Sequence, residues 1–185
     1  MYRILFFLSL VIMVSDVELS ASNQQLQLAR KLFYDAIEDE SQIKPAIQLF
    51  EKIGENEVYY GRCLTYIGTL YALKGKHSFS PYNKLKWVIK GLKLMDKGIE
   101  ESPNDLEALF IHGATCSHLP FFFNREDDAQ RSFETIIELL PETADNYDSK
   151  LVLHVIDFLE EKMTLQPPQQ EILTTVKNEL TDNEL

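Results

Sequence analysis

His112 and Cys116 stand four residues apart in HGATCSH, one helical turn, with His118 just beyond. An imidazole and a thiolate at that spacing share one helix face and could hold a metal ion. Two aligned ligands fall short of the four that zinc takes, and His112 also occupies a core position of the helical pattern. A buried histidine beside a small, apolar thiol is therefore the stronger reading. The carboxylates in EDDAQ and LEEKM read as helix starts and solvated faces, and NRED, from Asn124, as a cap followed by acids in a first turn. No glycine-rich phosphate loop and no serine or cysteine nucleophile motif occurs, and the four histidines are scattered. These residue types favour binding over catalysis, so no enzyme activity, metal or cofactor is expected.

Two other stretches carry residues suited to recognition. KGKHSFSPYNKLKW holds His77, Phe79, Tyr82 and Trp87, and HLPFFFNR holds Phe121, Phe122 and Phe123. Aromatic side chains beside basic ones are the composition of interface anchors. Residues 74–93 contain six lysines (Lys74, Lys76, Lys84, Lys86, Lys90 and Lys93) and no acid, leaving 12 basic against 29 acidic residues elsewhere. On a helix from Tyr82 to Glu101, Leu85, Val88, Ile89, Leu92 and Ile99 form an apolar face, and Lys86, Lys90, Lys93 and Lys97 a stripe. Such a stripe is a solvated face, or it attracts an anionic membrane surface or an acidic partner segment.

The elements that must position these residues are helices. The chain has 185 residues, 45% hydrophobic and 25% charged, suiting one globular domain or one short repeat array. A net charge of -11 excludes general nucleic-acid binding, which rests on neutralising phosphates. One arginine, an apolar run from Ile4 to Val14 and small residues at Ser20, Ala21 and Ser22 give residues 1–22 the layout of a signal peptide, with an uncleaved anchor as the alternative. No cysteine follows the run, so no lipid anchor is indicated, and export to the periplasm or beyond is expected.

From residue 23 onward, apolar residues recur at helical spacing, and proline or polar clusters interrupt them near residues 40, 55, 79, 103, 121, 143 and 167. An all-α chain of eight helices in four pairs is predicted. The second pair reads Leu64, Ile67, Gly68, Tyr71, then Gly91, Met95 and Pro103; the third reads Leu109, His112, Gly113, Cys116, then Ala129, Phe133 and Pro141; the first keeps Ala46 and Phe50. This resembles the tetratricopeptide repeat, W-x2-L-G-x2-Y, A-x3-F, P. Ala46 to Gly68 and Gly91 to Gly113 are both 22 residues, the interval a 34-residue repeat requires. The resemblance spans residues 23–180 and implies a right-handed α-solenoid of about four helix-turn-helix pairs over residues 23–185. The glycines at matched positions predict close helix contact. Cys63 and Cys116 fall on corresponding helices; they read as buried thiols, with a bridge as the alternative.

Gly68 and Gly91 are separated by 23 residues where the pattern expects 12, and Gly113 and Ala129 by 16. The excess of 11 and 4 residues is assigned to the turns inside the second and third pairs, where the two aromatic stretches would touch along one edge. Phe121 to Phe123 then read as a plug or a docking surface rather than a strand or lipid wedge, with at least one ring in the core and at least one at the surface. The family's mode implies a peptide or helix partner in a groove lined by first helices, with Tyr60, Thr65, Asn104, Glu107 and Phe110 as candidates. The function expected is an exported protein-binding adaptor using that groove, the aromatic patch, or both. Phe79, Tyr82, Trp87, Phe121, Phe122, Phe123, Lys86, Lys90 and Lys93 are its site residues. The alternative is a small-ligand-binding accessory protein of a transport system, with a pocket closed by the aromatic stretches.

Overall fold

The computed structural model describes residues 24–182, so the expected leader over residues 1–22 lies outside the described residues. Each interruption read from the sequence ends a helix. Helix α1 covers residues 24–35, followed by α2 (Ile43–Ile53), α3 (Tyr60–His77), α4 (Pro81–Glu101), α5 (Leu106–Ser117), α6 (Glu126–Thr143), α7 (Ser149–Lys162) and α8 (Pro167–Asp182). No strand occurs among the described residues, and the all-α expectation holds. None of these helices is long and apolar enough to cross a membrane.

The starts follow from capping chemistry. Asp105 accepts a hydrogen bond from the Ala108 amide at 2.8 Å, and Asp148 accepts from the Lys150 and Leu151 amides. Asp39 and Asn56 cap short 3-10 turns that lead into α2 and α3. Bonds to the Gln42 and Ser41 side chains hold the Asp39 carboxyl below its ordinary range. Pro81 sits at the first position of α4, where its missing N–H costs nothing.

The chain divides into two compact units between Lys97 and Gly98, within α4. In the first, α1 buries Leu26, Ala29 and Phe33 along one face, with Ala36 buried just past its end, and α2 buries Ile43, Ala46, Phe50 and Ile53. Both meet Tyr66 of α3: its ring stacks on Phe50 at 4.4 Å and takes Phe33 edge-on at 4.8 Å. Helix α3 lies against α4 through glycine, as the matched positions predicted. A Cβ added to Gly68 would stand 2.6 Å from the Gly91 carbonyl oxygen, and one on Gly91 would strike the Gly68 carbonyl oxygen. The two backbones touch.

In the second unit α5 packs on α6, while α8 packs on both α6 and α7. Phe158 of α7 meets Phe110 of α5 at 5.2 Å and Phe133 of α6 at 5.7 Å. The glycine contact is different here, because a Cβ on Gly113 would stand 2.5 Å from the Phe133 ring rather than a backbone atom. Lys177 of α8 bridges Asp157 and Glu160 of α7 at 2.7 and 3.0 Å, and these bonds raise its pKa.

One expectation is corrected. The excess of 11 residues in the second pair does not form a loop, for α3 runs 18 residues and α4 runs 21, with only residues 78–80 between them. Residues 69–77 and 82–90 contain no proline and one glycine, and lysine and leucine propagate helix well. The excess is absorbed as extra helical turns. In the third pair the 4 extra residues stay in the connection, as a 3-10 turn over Phe121–Phe123.

Candidate functional site

The α3–α4 corner is built from both helix ends. Ser78 closes α3, its hydroxyl donating to the Lys74 carbonyl at 2.7 Å. His77 does not face a partner: its Nε2 lies 3.1 Å from the Ala36 carbonyl oxygen, and neighbouring Lys76 donates to the Ile37 carbonyl oxygen at 2.8 Å. The end of α3 is thus tied to the end of α1. Beyond it Phe79 is fully exposed and Tyr82 is 74% exposed. Trp87 is half-buried, stacked on Tyr71 at 5.6 Å with the rings 11° from parallel.

The lysines divide into two groups. Lys74 lies 4.2 Å and Lys86 5.3 Å from the Trp87 ring centre, and Lys90 lies 3.7 Å from that of Tyr71. These ammonium groups sit on ring faces, where the quadrupole attracts a cation. Lys84 and Lys93 are exposed. None of these five lies within ion-pair distance of a carboxylate among the described residues. On the same helix Val88, Leu92 and Met95 are buried, Val88 beside Gly75 and Met95 beside Gly68 of α3, but Leu85 and Ile89 are 47% and 42% exposed. The expected apolar face of α4 is therefore wider than the surface that covers it. Leu85 and Ile89 join Tyr82 as an uncovered strip beside the lysines, which periodicity alone did not separate from the core.

The α5–α6 corner presents the phenylalanines. Pro120 leads into the 3-10 turn, and Asn124 follows in the left-handed region (φ 52°), its amide donating to the Phe121 carbonyl at 2.9 Å. Asn124 is thus not the cap of α6. Arg125 holds that place without a side-chain cap bond, and the acids Glu126, Asp127 and Asp128 fill the first turn as expected. Phe121 and Phe122 are 80% and 65% exposed, and Phe123 is half-buried against Phe122 at 4.8 Å. None of the three is in the core, so the plug is corrected. The corner is held from beneath by other side chains.

That support contains the two residues first considered for chemistry. His112 Nδ1 lies 2.8 Å from Ser132 Oγ, and Nε2 lies 3.3 Å from an Arg125 guanidinium nitrogen and 3.8 Å from Cys116 Sγ. A guanidinium can only donate, so Nε2 accepts and the ring proton sits on Nδ1, donating to Ser132. Arg125 Nε in turn lies 2.7 Å from Asp128 Oδ2. A cation beside Nε2 opposes a metal there, and among the described residues no three His, Cys, Asp or Glu side chains cluster to hold one. His112, Cys116 and Ser132 are all buried. Cys63 and Cys116 are both free thiols.

The groove candidates fare unevenly. Tyr60 is half-buried and receives a hydrogen bond from Lys97 at 3.1 Å, and Asn104 is exposed. Thr65, Glu107 and Phe110 are buried and cannot line an open groove. Thr65 donates back to the Gly61 carbonyl at 3.1 Å, and the Phe110 ring meets His154 and Phe158. The α3–α4 residues belong to the first compact unit and Phe121–Phe123 to the second. Compared with known proteins, the chain matches no protein-family model, no curated protein and no solved structure.

Proposed function

We propose that the chain is an exported helical-repeat adaptor of the tetratricopeptide kind, without enzyme activity, that binds a protein or peptide partner. Support for the repeat comes from the helix pairs themselves. Gly68 and Gly91 meet backbone to backbone, and Gly113 meets Phe133, at positions the repeat reserves for small and large residues. The exported setting rests on the leader pattern of residues 1–22.

The observation that carries the binding role is the exposure of Phe121 and Phe122 on a pinned turn. Two adjacent large rings in water lack the burial that would stabilise each by about 1.5–3 kcal/mol. The turn that presents them holds Asn124 in the left-handed region, which asparagine adopts more readily than other residues with a side chain. A turn held in this way loses little backbone freedom on docking, which favours its use as an interface anchor.

A photo-cross-linking residue placed at Phe122, in the compartment where the protein resides, should yield a discrete covalent product with a polypeptide. Replacing Phe121 and Phe122 with serine should change folding stability by no more than about 0.5 kcal/mol, as for exposed positions generally. The same change should abolish the product formed by a cross-linker at Glu126, which is exposed in the first turn of α6. A product that survives the double substitution overturns the assignment of these rings.

A further inference from the structure

The α3–α4 corner has a composition that a protein-binding role does not account for. Its cations are all lysine: six in residues 74–93, with no arginine and no acid, in a chain of net charge -11. Protein interfaces are enriched in arginine and depleted in lysine. Lysine clusters beside exposed apolar side chains are instead the pattern of surfaces that meet anionic lipid.

The geometry agrees with the composition. Phe79 stands fully exposed at the tip of the turn, and Tyr82, Leu85 and Ile89 continue from it along one strip of α4. Lys86 and Lys93 flank that strip at helical spacing. Among the described residues Lys84, Lys86 and Lys93 have no carboxylate within ion-pair distance, so their charge is available to an outside anion. The Trp87–Tyr71 stack stiffens the base of the corner and carries Lys74 and Lys90 on its faces. We infer that this corner docks on an anionic phospholipid surface, with Phe79, Tyr82, Leu85 and Ile89 entering the headgroup region and the lysines facing lipid phosphates.

Trp87 is the chain's single tryptophan and lies within the corner, so it reports docking there and nowhere else. Full-length protein would be mixed with vesicles of phosphatidylcholine alone, or of equal parts phosphatidylcholine and phosphatidylglycerol, with brominated acyl chains as quencher. Trp87 quenching should appear on the anionic vesicles, be near absent on the zwitterionic ones, and fall away as salt is raised to about 1 M. Each lysine near such a surface contributes about fivefold in affinity, so K84Q, K86Q and K93Q together should weaken binding about a hundredfold. F79S with L85S should reduce quenching while leaving the salt dependence of the remaining binding.

Equal Trp87 quenching on both vesicles, or quenching unchanged by the triple lysine substitution, overturns the proposal. So does a corner that binds polyglutamate through the same lysines but ignores anionic vesicles. That result assigns the surface to an acidic protein segment. The apolar run at residues 4–14 is common to every variant and far in sequence from the reporter, so vesicle capture through it does not mimic lysine-dependent quenching.

Discussion

The α3–α4 and α5–α6 corners each join two consecutive helices, yet one is closed by backbone and the other by side chains. At the first, Gly68 and Gly91 bring two helices into direct contact, and long helices end in a three-residue link. At the second, Gly113 admits the Phe133 ring, a 3-10 turn spans the gap, and His112, Ser132, Arg125 and Asp128 fill the space beneath. The contrast shows two ways to present exposed aromatic residues. One extends two helices to a short link whose α3 side is tied to the end of α1, and the other bends the backbone sharply and supports the bend from below.

Removing the ring at the second corner tests the side-chain closure most severely. Phe133→Ala empties a buried site touching Gly113 and Phe158, and a loss of about 3–5 kcal/mol is expected in denaturant unfolding. A loss under 1 kcal/mol would mean the ring is not what closes that corner. The backbone closure is tested by Gly68→Ala. Alanine gains roughly 1 kcal/mol in helix propensity, but the methyl would stand 2.6 Å from the Gly91 carbonyl oxygen and 2.8 Å from the Met95 backbone nitrogen, and backbone atoms yield only if the helices shift. A net loss of about 1–3 kcal/mol is expected, and a stabilised variant would show that the helices are free to part.

The smallest effect concerns the bend. Asn124→Gly should be neutral or stabilise slightly, whereas Asn124→Ala should cost about 1 kcal/mol, because alanine resists positive φ. Thermal melts of the two variants separate these outcomes. Equal melting points would remove the left-handed residue from the account of how Phe121 and Phe122 are held.

The helix count and the close glycine contacts were readable because prolines, polar clusters and small residues act locally. Asp105 and Asp148 cap helices for the same reason: a short acceptor before an apolar run has few other uses. Periodicity could not say how much of an apolar arc a neighbour covers, so Leu85 and Ile89 read as core and stand in water. Nor could spacing decide whether extra residues become loop or helix, since residues 69–77 and 82–90 obey the helical pattern either way. The reverse error affects Thr65, Glu107 and Phe110, where a family's groove positions fall on a buried face of these helices. The support around His112 was half visible: the i, i+4 pair with Cys116 was plain, but Ser132 and Arg125 arrive from α6 and its start, which only the fold brings near.

The Gly68–Gly91 contact also bears on how this chain can change over generations. Each glycine lies where the other's side chain would go, so a methyl on one already forces the helices apart. A second methyl then enters a gap the first has opened, and the two costs cannot add as they would at distant sites. Met95 and Ala72 line the same gap and share in that coupling. These four positions would drift together or not at all, and a variant that enlarges one of them opens a route for the others.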